Sequence, residues 1–244
     1  MTRTALITGA GRNIGRAVAL ALAKQGMNVV INGSSDQAAC ERVANEARAL
    51  GVEALVAMGD VGERATCRRL AEAAISRFGR VDVLVNNAAL RPTNKFLDLT
   101  EQDYRRVMAV DLDAALWLSQ ACLPGMLEGG WGRIVNFAGM NAIHGYAGRA
   151  PVSVAKHGVW GLTKSLAKEF GPKGVTVNAI SPGPIASDDE DVAPDAHRQE
   201  MVVRVPVGRL GQPAEVAAMV RLLASDEGAF INGQMLAVNG GAET

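Results

Sequence analysis

Short runs rich in β-branched residues alternate along the chain with longer stretches whose apolar positions recur at the helical period. Thr4–Thr8, Asn28–Asn32, Glu53–Met58, Val81–Asn86, Arg133–Phe137, Val175–Ile180 and Met235–Val238 read as strands. Ile14–Lys24, Ala38–Leu50, Glu63–Phe78, Glu101–Leu127, Val152–Phe170 and Ala214–Ala224 read as helices. The alternation is that of successive βαβ units, and it predicts a single α/β domain over residues 1–244, doubly wound around a seven-stranded parallel sheet. Right-handed crossovers then put all strand carboxyl ends on one rim, where ligands of open α/β sheets bind. Residues 187–205 break the rhythm, acidic at first in Asp188-Asp189-Glu190-Asp191 and only weakly helical afterwards. Because this segment leaves a strand at the ligand rim it is expected to be a substrate lid; a solvated surface loop is the alternative.

Composition narrows the class. Lys plus Arg and Asp plus Glu both total 25, so no surplus of positive charge points to nucleic acid or anionic lipid. The amino terminus enters its first strand without the regions of a signal peptide, and no apolar run is long enough to span a bilayer, so a cytoplasmic protein is expected. Cys40, Cys67 and Cys122 are odd in number and far apart, which suggests neither disulfides nor a zinc site. Aromatic residues are 4% of the chain while small apolar ones abound, in keeping with helices lying close on a parallel sheet.

Thr8-Gly9-Ala10-Gly11-Arg12-Asn13-Ile14-Gly15 follows the first strand and opens the first helix, the setting a glycine-rich phosphate loop requires. Glycines let the backbone approach a diphosphate, and the helix start attracts its charge. With this loop, Asp60-Val61 after the third strand, Asn86-Asn87-Ala88-Ala89 after the fourth and Ser181-Pro182-Gly183-Pro184-Ile185 after the sixth, the chain resembles the short-chain dehydrogenase/reductases, in particular their 3-oxoacyl-acyl-carrier-protein-reductase-like members. Asn13 replaces the middle glycine of the loop signature; asparagine tolerates left-handed backbone better than most residues. The resemblance implies a Rossmann fold and a nicotinamide dinucleotide held by Gly9, Gly11, Arg12, Asn13, Ile14 and Gly15 at the phosphates. It places Asp60 and Val61 at the adenine, Asn87 and Ala88 beside the adenine-side ribose, and Pro182, Gly183 and Ile185 at the carboxamide. At the end of the second strand, Asn32-Gly33-Ser34-Ser35 offers no acid for ribose hydroxyls before Asp36. Arg12, inside the glycine loop where the resemblance implies a base in NADP-preferring members, favours NADP, with NAD as the alternative, and Ser34 is a further cofactor-binding candidate.

The same resemblance implies a Ser, Tyr, Lys and Asn set in which a phenol of lowered pKa moves the proton. Here those positions read Gly139, Val152, Lys156 and Asp111, so only the lysine is kept. Lys156 would also hold the nicotinamide ribose. Asp111 either pairs with Lys156, keeping the lysine charged and its pKa from falling, or bonds a backbone amide at a helix kink. Candidates for a replacement acid are Tyr146 and His144, in the loop after the fifth strand, although such residues are more often a pocket wall or hydrogen-bonded within their loop. Arg91 and Arg149 are candidates for holding a substrate carboxylate, or are simply surface arginines. No metal site is expected.

Three functions fit. The first is an NADP-dependent oxidoreductase acting on a small carbonyl or alcohol with a non-standard proton relay. The second is a non-redox lyase, dehydratase or hydrolase on the same scaffold, using Lys156, Asp111 and His144, and the third a catalytically silent nucleotide-binding protein. The resemblance also implies a homo-oligomer, tetramer or dimer, through Glu101–Leu127 and Val152–Phe170, whose Ala114, Ala115, Ala121, Val159, Gly161 and Ala167 permit close helix packing or serve the core equally well.

Overall fold

Seven strands lie in the order β3-β2-β1-β4-β5-β6-β7, all parallel. They are β1 (Thr4–Ile7), β2 (Asn28–Gly33), β3 (Ala54–Met58), β4 (Val83–Asn86), β5 (Gly132–Phe137), β6 (Val175–Pro182) and β7 (Met235–Val238). The computed structural model describes residues 2–187 and 195–243. Strand order reverses between β1 and β4, which opens a crevice at their carboxyl ends, as in a Rossmann fold. Helices α1 (Asn13–Lys24), α2 (Gln37–Ala49), α3 (Arg64–Phe78), α4 (Glu101–Met108), α5 (Ala114–Glu128), α6 (Ala150–Phe170), α7 (Asp195–Val203) and α8 (Pro213–Leu223) complete it.

Strand alternation decides which helix layer each side chain meets. Ala5, Ile7, Val29, Ile31, Val83 and Val85 pack with α1, α2 and α8, whereas Leu6, Val30, Leu84 and Ile134 pack with α3 and α5 on the opposite face. Leu6, Ile7, Leu84 and Ile134 are almost wholly buried, each contributing about 1.5–3 kcal/mol by removal from water. Among the described residues no helix is long and apolar enough to cross a membrane.

Two sequence expectations change. The stretch Glu101–Leu127 is not one helix. It starts at a capping box of Thr100 and Asp103, runs as α4, widens to a π turn over Ala109–Asp113 and resumes as α5. Within 187–205, Asp195–Val203 is helical (α7), where its pattern had shown only weak periodicity; the acidic run Asp188-Asp189-Glu190-Asp191 lies outside the described residues. Four of the six small residues offered for subunit packing, Ala114, Ala115, Val159 and Ala167, are buried within the chain itself, while Gly161 faces open space.

Candidate active site

The loop from β1 into α1 is held in shape by protein atoms. Thr8 Oγ1 accepts the amides of Asn87 and Ala88, both at 3.0 Å, and Asn87 Nδ2 donates to the carbonyls of Thr8 at 2.9 Å and Gly9 at 3.0 Å. The Asn87 side chain, expected beside a ribose, therefore braces the loop that would cradle the phosphates. Gly15 is required by close approach, since a Cβ there would lie 2.2 Å from the Gly9 carbonyl oxygen. Asn13 takes φ 49°, the one non-glycine positive φ among the described residues, so the residue that replaces the usual glycine supplies the same backbone. Ser187 Oγ donates to Asn13 Oδ1 at 3.2 Å, bringing the chain that leaves β6 back over the loop. Arg12 is exposed at the N-cap of α1, with Ile14 just inside it.

Beyond β2 the polar groups are committed elsewhere. Asn32 Nδ2 donates to the carbonyls of Ala57 at 3.0 Å and Gly59 at 3.1 Å, and Asp36 caps α2 by accepting the Ala39 amide at 2.8 Å. The first acid after β2 thus serves a helix end, and exposed Ser34 stands between them. Asp60 binds Arg106 at 2.6 Å and the Gly62 amide at 2.9 Å. Burial raises its pKa, but these bonds outweigh burial and hold the carboxyl below its ordinary value. Val61 is buried behind it. On the far side of the crevice Gly183 donates to the Val238 carbonyl at 3.0 Å, and Ile185 bridges to Gly211, which fixes the path from Pro182 onward.

Lys156 and Asp111 meet at the crevice floor. Their side chains are 7% and 0% exposed, and Nζ lies 3.4 Å from Oδ2. Asp111 Oδ1 accepts the Leu90 amide at 2.6 Å. Both readings of Asp111 therefore hold together: it pairs with the lysine and also bonds a backbone amide, from the π turn that kinks the helix. The expectation that this pair keeps the lysine pKa from falling is not met. Burial pushes the Lys156 ammonium down; Asp111 pulls it up and the Arg91 charge pushes it down again, and the net direction is down.

A cavity of about 10 Å³, about the size of one water, is lined by Thr8, Asn86, Ala88, Asp111, Phe137 and Lys156 among others. Asn86 Oδ1 is buried here without a hydrogen-bond partner, and Asp111 Oδ2 has only the longer ion-pair contact to Lys156. From Asn86 a chain of side chains runs inward, Nδ2 donating to Asn136 Oδ1 at 2.8 Å and Asn136 Nδ2 to Thr163 Oγ1 at 2.9 Å. An unsatisfied acceptor and a loosely held ion pair lining one cavity mark this as a place built for a polar occupant.

Val152 does not line that cavity. It is 1% exposed and packs with Val107, Ala155, Met108 and Leu112. The hydrocarbon at position 152 thus closes a small core against α4 instead of facing that cavity. Gly139 takes φ 73° and ψ 174°, a conformation that strains any L side chain.

Tyr146 and His144 gather around the carboxyl-terminal tail. His144 Nε2 lies 3.3 Å from Glu243 Oε1, and the Glu243 side chain is 5% exposed. Burial raises the Tyr146 pKa, and the Glu243 charge raises it further, against the nearby Arg204 and Arg149. Burial raises Glu243 as well, against His144 and Tyr146. A phenol used to donate from a depressed pKa needs the opposite shift, and the charges that act on Tyr146 do not include Lys156.

A family model described as enoyl-(acyl carrier protein) reductase matches residues 9–243. The chain is 38% identical over 241 residues to 3-oxoacyl-(acyl-carrier-protein) reductase FabG of Staphylococcus aureus, covering 99% of this chain and 98% of that protein. It belongs to the short-chain dehydrogenase/reductase family. Nodulation protein G of Azospirillum brasilense is likewise 38% identical, over 98% of this chain and 97% of its own length. Among solved structures, acetoin dehydrogenase YohF from Salmonella typhimurium matches with TM-score 0.91 and 33% identity over 99% of this chain and 96% of that one. A structure from Beutenbergia cavernae assigned as an NAD(P)-dependent gluconate 5-dehydrogenase, with NADP bound at low occupancy, matches with TM-score 0.91 and 37% identity over 98% and 96%.

In this short-chain dehydrogenase/reductase the structure brings Lys156 and Asp111 together, and separately brings Tyr146 and His144 together around Glu243. Sequence reasoning missed Glu243 because a carboxylate five residues past the last strand carries no pattern. The only available signal was that the tail after β7 must pass the same rim as the loop after β5.

Proposed function

We propose that this protein is an NADP-dependent oxidoreductase acting on a small carbonyl or alcohol, with a proton relay that begins at the Lys156–Asp111 pair in place of the family's phenol. The observation that carries the reading is the self-braced phosphate loop together with the buried ammonium and unsatisfied acceptor at the crevice floor. The residues fit a dinucleotide: Gly15 leaves the backbone open above the start of α1, and Asp36, committed to α2, sets no carboxylate against a 2′-phosphate. Arg12, Ser34, Asn13, Ile14, Gly9 and Gly11 would border the phosphates. Pro182, Gly183 and Ile185 would border the nicotinamide half, with Ala88 beside the adenine-side ribose and Asp60 and Val61 at the adenine.

Reducing a ketone to an alcohol takes one hydride and one proton; a bound nicotinamide supplies the hydride, so the chain must supply the proton. Val152 and Gly139, at the family's tyrosine and serine positions, have none to give. Lys156 has one, and burial lowers its pKa toward the range where an acid works near neutral pH. Asp111 orients the ammonium, and a water in the cavity between Asp111, Asn86 and Lys156 would carry the proton to the substrate oxygen. In the oxidative direction the same path takes the proton back. Tyr146 and His144 would line the approach to the site with Glu243 holding them.

The test is NADPH binding followed by fluorescence, then absorbance with a panel of ketones, aldehydes and alcohols. Turnover that Lys156→Met abolishes, with NADPH still bound, supports the proposal. Failure to bind NADPH or NADH, or full turnover in Lys156→Met, overturns it. The packing of Val152 favours one second reading, a nucleotide-binding protein without turnover, for which tight binding and no reaction across the panel would speak.

A further inference from the structure

Leaving β4, the chain turns at Leu90, whose amide is fixed to Asp111 Oδ1 at 2.6 Å, so that Arg91 emerges beside the Lys156–Asp111 pair. Solvent reaches Arg91. Partial desolvation beside the cleft lowers the pKa of its guanidinium, Asp111 raises it and Arg149 lowers it, in keeping with both charges lying close by. The following residues are tied to the loop before α6: the Asn94 amide donates to the Gly148 carbonyl at 2.9 Å, and Arg149 Nε donates to Thr93 Oγ1 at 3.4 Å. A second guanidinium is thereby held along the same wall.

The charges here do not balance. Lys156 and Asp111 offset one another, whereas Arg91 makes neither hydrogen bond nor ion pair among the described residues, and Arg149 meets no carboxylate there. Surface arginines usually extend the charged head into water. Arg91 does so at the mouth of the crevice, beside a Lys156–Asp111 pair that is already neutral, and its five donors meet no protein acceptor among the described residues. An acceptor delivered by a ligand would use them, and the planar fork of a guanidinium matches the paired oxygens of a carboxylate or phosphate.

We infer that Arg91, assisted by Arg149, forms a substrate oxyanion site, so that the molecule turned over here carries a carboxylate or phosphate with its reacting carbon set beside Lys156. The placing of the reacting carbon rests on the oxidoreductase reading; the binding of the anion does not.

Calorimetry in two stages separates the two. NADP+ is first titrated into wild type and Arg91→Gln, and failure here counts against the oxidoreductase reading. Matched probes are then titrated into each protein in the presence of NADP+: levulinate against methyl levulinate, and dihydroxyacetone phosphate against dihydroxyacetone. Wild type is expected to bind the anion of at least one pair about tenfold to a hundredfold more tightly than its neutral partner, and the pair that discriminates tells carboxylate from phosphate. Arg91→Gln erases the preference, Arg91→Lys keeps part of it, and Arg149→Gln weakens it. Equal affinity within both pairs, no saturable binding of either anion, or a preference that survives in Arg91→Gln overturns the inference. Circular dichroism matched to wild type shows that the variants are folded.

Discussion

At the start of α1 the chain spends its own amides and hydroxyls to shape a loop, so Thr8 and Asn87 hold the backbone open whether or not a ligand is present. After β5 and at the start of α6 the opposite has happened: Gly139 takes a backbone that no L side chain adopts without strain, and Val152 seals a hydrocarbon cluster. Lys156 lies one helical turn beyond Val152 and faces the crevice floor, so two neighbouring turns of one helix serve different ends. The lesson is that the nucleotide side depends on single contacts that one substitution can break. On the reaction side backbone and packing have changed together, and single reversions are not expected to undo them.

The largest effect should come from Asp111→Ala, which leaves the Lys156 ammonium buried and unpaired. Urea unfolding is expected to show a loss of about 3–5 kcal/mol, while Asp111→Leu combined with Lys156→Met recovers most of it. The pH response checks the same pair. Because Lys156 is lowered in the folded protein from 10.5, the unfolded chain binds more protons between the two values, so stability should rise with pH through that window; Lys156→Met removes the rise.

Gly15→Ala tests the nucleotide side. Its Cβ would lie 2.2 Å from the Gly9 carbonyl, so a loss of about 1–3 kcal/mol is expected with NADPH affinity falling alongside, read by unfolding and fluorescence. Unchanged affinity would mean that the loop does not hold the phosphates.

Gly139→Ser tests the reaction side and should cost about 1–2 kcal/mol from backbone strain alone, without restoring rate. A gain in ketone reduction from this single change would break the contrast drawn above. The smallest effect is expected of Glu243→Gln. Burial raises the folded pKa of Glu243 above its ordinary 4.5, so the stability it contributes is full below that value and lost as pH rises through the folded pKa. The neutral amide keeps it, which makes the variant equal to wild type at low pH and no less stable, within about 0.5 kcal/mol, at neutral pH.

Strands and most helices could be read from the chain because burial on both faces writes itself into apolar runs; Met235–Val238 was located to the residue, and the remaining strands within two. Asn13 in left-handed backbone was foreseeable from its chemistry. The break inside Glu101–Leu127 was not, because the phase shift of one π turn is spread over only five residues, Ala109–Asp113, too few to stand out against a helical period. The direction of Val152 was hidden for a related reason. A valine on a helix facing a crevice and one facing a neighbouring helix have the same spacing, and only the position of Val107 decides between them. Tyr146 and His144 were placed on the correct loop, but their partner lies about a hundred residues away in the chain.

The π turn has one more consequence. Five residues, Ala109–Asp113, are wound where an ordinary turn would hold fewer, and each added residue rotates everything downstream by about 100°. The aim of Asp111 is therefore a matter of chain length as well as side-chain identity. Deleting the codon for Ala109 would keep every named side chain in the sequence and a continuous helix through the segment, yet swing the carboxylate off both Leu90 and the lysine.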